Sequence, residues 1–370
     1  MSARPKVVVL RGHQANPWEL RPWELLQGDF DVTYLRTGRN WFDPGLIGLP
    51  GRPVRSLRDL LPAGRLGDAA VRVPGDRYLG LRDALAGADI VHSQELGYWY
   101  SAQAARAKSS LGFRLALTVW ETLPFLDAYR NVRTRPYRRR VLHAADLFLP
   151  ATERASLALQ LEGVDPGRIR VSPPGVDLDR FGADPAREAG PPVVLSAGRL
   201  VWEKGHQDVL RALALLRRDG VAARVVIVGA GPERDRLQRY ATELGVGDAV
   251  ELRAFVPYDE MPRIYAAAHC LVLASLPTWS WEEQFGMVLA EALAAGLPIV
   301  ASTSGAIPEV AGPTATYFAP GDSVGLAGAL REVLGRERPG EVADPERVAR
   351  FSVAAAAERL AAAYTELLAR

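Results

Sequence analysis

The chain has 370 residues, 48% of them hydrophobic and 24% charged, with a formal net charge of +2. That length accommodates two domains, and the near balance of charge excludes nucleic acid as an implied partner. A single cysteine, Cys270 in an apolar run, excludes an internal disulfide and a cysteine-built metal centre.

The opening MSARPKVVVL holds an apolar run too short for a signal peptide, and no stretch reaches the ~18 apolar residues of a membrane span, so a cytoplasmic location is expected. Short apolar runs then alternate with helical patterns. Strands are predicted at Lys6–Leu10, Asp31–Leu35, Asp89–His92, Arg114–Val119 and Asp146–Pro150. The stretch from Trp41 to Asp76, rich in Pro and Gly, reads as an irregular excursion. Ser172 to Pro192, dense in Pro, Gly and Asp, reads as an interdomain linker. Further strands are predicted at Val193–Ala197, Arg224–Val228, Ala249–Leu252, Cys270–Ala274 and Pro298–Ala301. Continuous Val/Ile/Leu runs signal strands buried on both faces, and alternation with helices signals parallel α/β sheets. The pattern occurs twice, so the fold class is α/β with two Rossmann-like domains, their strand C-terminal ends facing a cleft.

The most informative run is EQFGMVLAEALAAGLPIVAS, from Glu283 to Ser302. It reads as loop, helix, turn and strand, the helix ending at Gly296 before Pro298. Glu283 is expected in the loop at the helix start and Glu291 about two turns in. The amides of Gly286, Met287 and Val288 then form an anion site at the helix N-terminus. Upstream, Ser196-Ala197-Gly198-Arg199-Leu200 ends a strand and Glu203-Lys204-Gly205 follows. Lysine occurs only at Lys6, Lys108 and Lys204. Arg199 and Lys204 are therefore candidates for a diphosphate, Arg as a planar fork and Lys as a point charge. Gly229-Ala230-Gly231-Pro232 follows another strand; it lacks the third glycine of a dinucleotide fingerprint, and Pro232 suits a first helical position.

The Glu283–Ala301 run resembles the donor-binding signature E-x-F-G-x-x-x-x-E-A-x-A-x-G-x-P-V-V-A of the retaining glycosyltransferases of family 4, which have the GT-B fold. Gly198-Arg199-Leu200 with Lys204-Gly205 resembles that family's G-R-L-x-x-x-K-G. Ser172–Asp177 with Phe181 resembles its I-P-N-G-V-D-x-x-x-F hinge, and Ser304–Glu309 its G-G-x-P-E loop. The resemblance implies an acceptor-binding domain over 1–180, a nucleotide-sugar-binding domain over 181–350, and a terminal helix over 351–370 that crosses back onto the first domain. It implies that Glu283 binds hydroxyls of the donor sugar, Glu291 the ribose, and Arg199 and Lys204 the diphosphate. Gly229, Phe255 and Val256 would border the nucleotide, with core packing an equal alternative for Phe255.

Two departures fall in the first half. A single glycine, Gly12, followed by His13, replaces the family's Gly-Gly loop, and Trp120, followed by Glu121, stands where the family often has His. Gly12, His13, His92, Trp120 and Glu121 are the acceptor-side candidates, with a structural role open for His92. The expected activity is transfer of a sugar from a nucleotide-diphosphate donor, with retention and without a metal or cofactor, to a small-molecule, glycan or lipid-linked acceptor. Asp177-Leu178-Asp179 has D-x-D spacing but falls in the hinge. The arginine run Arg130–Arg140, with Arg133, Arg135, Arg138 and Arg139, reads as a solvated helix face in preference to a peripheral membrane contact. A GT-B epimerase, or a binding relative without turnover, remains the alternative.

Overall fold

The computed structural model describes residues 3–62, 64–71, 75–126, 134–182, 189–336 and 345–370. The chain divides into two compact units, Met1–Gly175 with Ser352–Arg370, and Val176–Phe351.

The first unit carries a six-stranded parallel sheet. Its strands are β1 (Lys6–Val9), β2 (Asp31–Arg36), β3 (Gly51–Pro53), β6 (Ile90–Gln94), β7 (Arg114–Val119) and β8 (Leu147–Pro150), with a small antiparallel pair of β4 (Arg55–Ser56) and β5 (Tyr78–Leu79) outside it. The spatial order is β3-β2-β1-β6-β7-β8. Side chains alternate across the pleat: Val8 and Leu10 enter one core, Val7 and Val9 the other. Both faces are covered, which is why these strands read as unbroken apolar runs.

The second unit repeats the plan with β9 (Val193–Ala197), β10 (Arg224–Val228), β11 (Val250–Arg253), β12 (Cys270–Leu273), β13 (Ile299–Ser302) and β14 (Thr316–Phe318), in the order β11-β10-β9-β12-β13-β14. All pairings within it are parallel. Cys270 is fully buried in β12. Counted along each unit, both sheets follow the Rossmann order 3-2-1-4-5-6.

The boundary falls at Gly175, ahead of the expected residue 180. The reason is packing: Val176 N donates to Phe351 O at 2.7 Å, and Phe181 meets Tyr258 and Tyr265 edge-on with centroids at 6.0 and 5.2 Å. Gly175 itself lies so close to the terminal segment that a Cβ would stand 2.9 Å from Val353 Cα. Of the linker, residues 183–188 lie outside the described residues.

The terminal helix Val353–Ala369 starts at Ser352, whose Oγ accepts Ala355 N at 3.0 Å as an N-cap. Leu360, Ala363, Tyr364 and Leu367 complete the core around Val7 and Val9, and each buried leucine contributes about 2 kcal/mol. Trp23 Nε1 donates to the Tyr364 hydroxyl at 2.7 Å, and Arg170 forks onto Glu366.

Among the described residues, no helix is long and apolar enough to cross a membrane. In the arginine run, Arg130 and Arg133 lie outside the described residues. Arg138 corrects the reading of a solvated face: it is buried and forks onto Glu162, because its position on the helix Arg135–Ala144 turns it inward beside Val141.

Candidate functional site

Open parallel sheets bind ligands beyond the strand C-termini, at the point where the strand order reverses. In the second unit that point lies between β9 and β12. Gly198 and Arg199 follow β9, Gly229 follows β10, Phe255 follows β11, and Ser275 and Glu283 follow β12. All the donor-side candidates thus stand at strand C-termini or on the helix that follows.

Glu283 lies in the loop before the helix Met287–Ala294 and is 5% exposed. Lys204 Nζ donates to its Oε2 at 2.6 Å, and Ser275 Oγ donates to the same atom at 2.5 Å. Among the described residues Oε1 accepts no hydrogen bond. Gly305 fits against this segment, since a Cβ there would stand 2.1 Å from Glu283 O, and Ala306 N donates to that carbonyl. The G-G-x-P-E-like loop therefore clamps the Glu283 backbone.

Gly286 opens the helix at φ +76°, and a Cβ would crowd Leu273 and Leu289 at 3.0 Å. Met287 and Val288 occupy the first turn, whose amides have no carbonyl partner within the helix. Because the helix begins at Met287, Glu291 is little more than one turn in, nearer the start than the sequence suggested.

Glu291, for which the resemblance implies a ribose contact, is held by two tyrosines. Glu291 is 4% exposed, and its two oxygens accept the hydroxyls of Tyr258 at 2.9 Å and Tyr265 at 2.6 Å. Burial pushes its carboxyl up, and the two tyrosine hydrogen bonds oppose that shift. Arg180 stacks on the Tyr258 ring at 4.9 Å and donates to its carbonyl at 3.1 Å. Of the two roles open for Phe255, its 72% exposure excludes the core one, while Val256 is half-buried.

The turn around Arg199 is built by close backbone contacts. A Cβ on Gly229 would stand 1.9 Å from Gly198 O, and one on Gly231 2.3 Å from Leu200 O. The next helix begins at Arg234, so Pro232 lies in the turn before it. His206, unassigned from sequence, braces the same turn. Its Nε2 meets Arg199 O at 3.1 Å and its Nδ1 meets Ser196 Oγ at 2.9 Å. A carbonyl only accepts, so Nε2 carries the proton and Nδ1 takes the serine hydroxyl. Burial lowers His206 to about 4, holding the ring neutral. The Arg199 side chain is exposed, with Glu203 at 4.0 Å. Ser275, Tyr258 and Tyr265 also escaped the sequence reading; the adjacency Lys204-Gly205-His206 was the one available signal.

In the first unit the strand order reverses between β1 and β6. Gly12 and His13 follow β1. Gly12 N donates to the Tyr78 hydroxyl at 2.8 Å, and His13 Nδ1 pairs with Asp76 Oδ2 at 2.9 Å beside Trp41. Glu95 follows β6 with φ +59°, a left-handed conformation uncommon for a residue other than glycine. Its Oε1 accepts Trp120 N at 2.7 Å. Burial, with Glu121 adding to it, raises Glu95 to about 7. Burial raises Glu121 also, and its Oε1 accepts Leu123 N at 2.9 Å. Of the two roles open for His92, its surroundings fit the structural one. It is fully buried, with Nδ1 on the Tyr364 hydroxyl at 2.6 Å and Nε2 on Thr118 Oγ1 at 2.7 Å, and desolvation holds its pKa well below the ordinary value.

The fold defined by these two units is GT-B. Anabaena HepE in complex with UDP and glucose superposes with a TM-score of 0.79 at 19% identity, over 98% of this chain and 100% of that one. Sucrose-phosphate synthase from Thermosynechococcus elongatus gives 0.77 at 20% identity, over 99% and 100%. The D-inositol 3-phosphate glycosyltransferase of Corynebacterium jeikeium is 34% identical over 313 residues, 75% of this chain and 72% of the relative. The GDP-mannose-dependent alpha-(1-6)-phosphatidylinositol monomannoside mannosyltransferase of Mycolicibacterium smegmatis is 36% identical over 195 residues, 49% of each chain, so the match spans about half of that relative. Residues 25–180 match the description Glycosyltransferase Family 4, and residues 179–351 match Glycosyl transferases group 1. The chain belongs to this family of glycosyltransferases.

Proposed function

We propose that the chain transfers a sugar from a nucleotide-diphosphate donor to a small-molecule, glycan or lipid-linked acceptor, with retention at the anomeric carbon and without a metal. The observation that carries this reading is the Lys204–Glu283 pair, buried at the strand-order reversal of the second unit beside a helix N-terminus.

Lys204, Arg199 and the Met287 and Val288 amides would hold the diphosphate, where negative charge grows as the anomeric C–O bond breaks. Glu283 would offer Oε1 to a hydroxyl of the donor sugar while Lys204 and Ser275 fix Oε2. The bonding pair leaves with the diphosphate oxygen. The acceptor oxygen bonds to the same face of the anomeric carbon, and its proton passes to the departing phosphate. Glu291, held by Tyr258 and Tyr265, would offer its remaining lone pairs to the ribose hydroxyls. Gly12, His13, Trp120 and Glu121 would contact the acceptor.

The test is thermal unfolding with UDP, GDP, ADP and dTDP and their sugars, on wild type and Arg199→Ala. GDP-mannose goes first because the mycobacterial relative carries that donor in its name. A ligand at ~100 times its dissociation constant adds about 2.7 kcal/mol. One nucleotide should raise the midpoint, with a smaller rise in Arg199→Ala, and its sugar should then be transferred in the presence of a chelator with the anomeric configuration kept. No shift with any of them overturns the reading.

A further inference from the structure

The run Thr278-Trp279-Ser280-Trp281 has no part in the function argued above. It forms a tight turn immediately ahead of Glu283. Thr278 N donates to Trp281 O at 2.7 Å, Thr278 Oγ1 reaches the same carbonyl at 3.3 Å, and Ser280 N donates to Thr278 Oγ1 at 3.3 Å. These bonds fix the Trp281 backbone. The same loop is stitched to the turn that carries Lys204, because Leu276 N donates to Glu203 O at 2.8 Å. A Cβ on Gly205 would stand 1.9 Å from Ala274 O, so the two segments touch backbone to backbone. The Trp281 ring ends with its centroid 5.0 Å from Lys204 Nζ.

We propose that Trp281 is the positioning residue of Lys204, its indole face and the Glu283 carboxylate bracketing the ammonium so that its charge is offered to the donor diphosphate. An ammonium within ~6 Å of an indole centroid is attracted by the negative face of the ring, more strongly where water is scarce. Lys204 and Glu283 have only 14% and 7% of their side-chain surface exposed. A lysine stem is long and flexible, and an ammonium free to wander loses affinity when a phosphate must immobilise it. Here the aromatic face and the carboxylate meet that requirement before any ligand arrives. Ser275 steadies the carboxylate in turn, and Ser302 Oγ donates to Ser275 O at 2.7 Å.

The proposal rests on the function above, and its test separates the two. Wild type, Trp281→Ala and Trp281→Phe are compared by calorimetric titration with UDP, GDP and ADP and by NMR of isotope-labelled lysine. Lysine occurs three times, so the Lys204 signal is assigned by its loss in Lys204→Arg. Trp281→Ala should weaken the bound nucleotide roughly tenfold and remove the ring-current shift of the Lys204 side chain, while Trp281→Phe restores affinity to within about threefold. Unchanged nucleotide affinity in Trp281→Ala overturns the proposal. So does a loss confined to the nucleotide sugar with the bare nucleotide unaffected, which would make Trp281 a sugar-stacking wall. An unmoved Lys204 signal overturns it whatever binds. If wild type binds no nucleotide but the Lys204 signal moves in Trp281→Ala, the proposed function fails and the positioning of Lys204 stands.

Discussion

Lys204 and Glu283, seventy-nine residues apart in sequence, meet at 2.6 Å with most of both side chains withdrawn from water. Removing one partner of a buried pair leaves the other uncompensated and costs about 3–5 kcal/mol. Lys204→Met and Glu283→Gln should each lower stability by amounts approaching that, and the double variant should lose less than their sum by about 1–3 kcal/mol. Denaturant unfolding of the four proteins checks this. Additive losses would mean that the contact carries no energy.

The Glu291 oxygens are held by Tyr258 and Tyr265. Tyr265 is fully buried, whereas Tyr258 is half-buried. Tyr265→Phe should therefore cost about 1–3 kcal/mol, the penalty of an unmet buried acceptor, and Tyr258→Phe less. Tyr258→Phe also frees one oxygen for a ribose hydroxyl. Its nucleotide affinity should equal or exceed that of wild type in a calorimetric titration. A large loss would assign the Tyr258 hydroxyl itself to ligand binding.

His206 carries a pH signature. Its ordinary value is 6.5 and its folded value about 4. Above 6.5 the ring is neutral in both states. As pH falls below 6.5 the unfolded chain takes up a proton that the folded chain refuses, so stability declines until about 4. His206→Asn should flatten this acid decline, seen as a smaller change in unfolding midpoint between pH 7 and pH 4.5 than in wild type. Parallel profiles would count against a neutral, bracing His206.

Glu95 has the opposite sign. Its carboxyl moves from 4.5 to about 7 on folding. Below 4.5 both states are protonated. Between those values the unfolded chain releases its proton while the folded chain keeps it, so stability falls as pH rises, by about 3 kcal/mol in all. Glu95→Gln should be more stable than wild type at pH 8 and show no advantage at pH 4.5. Equal stability at both pH values would refute the raised carboxyl.

The legible parts of the fold were the strands buried on both faces, because their Val, Ile and Leu runs leave no other reading. Edge strands β3 and β14 escaped. Gly51-Arg52-Pro53 is exposed throughout and Thr316-Tyr317-Phe318 is mostly half-buried, so neither carries an apolar run. In the candidate site, the placement of Arg199 and Lys204 after a strand and of Glu283 before a helix was readable from local motifs. Ser275, His206 and Tyr258 were not, since their roles depend on contacts across 8, 10 and 33 residues. For His92 the sequence left two roles open for the converse reason: a strand-end position says nothing of a tyrosine that arrives 272 residues later to occupy its ring nitrogen.

The terminal helix that supplies that tyrosine sets an order on folding during synthesis. Residues 176–351 have all emerged before the helix Val353–Ala369 exists, and the ends of that segment already meet through Val176 and Phe351. The second unit can therefore close while the first, though translated earlier, still lacks Leu360, Ala363, Tyr364 and Leu367. Until then the apolar face around Val7, Val9 and Trp23 stays open on the nascent chain. That interval is when chaperone capture or aggregation competes with native closure, and truncation of the last turns should strand the older half of the chain rather than the newer.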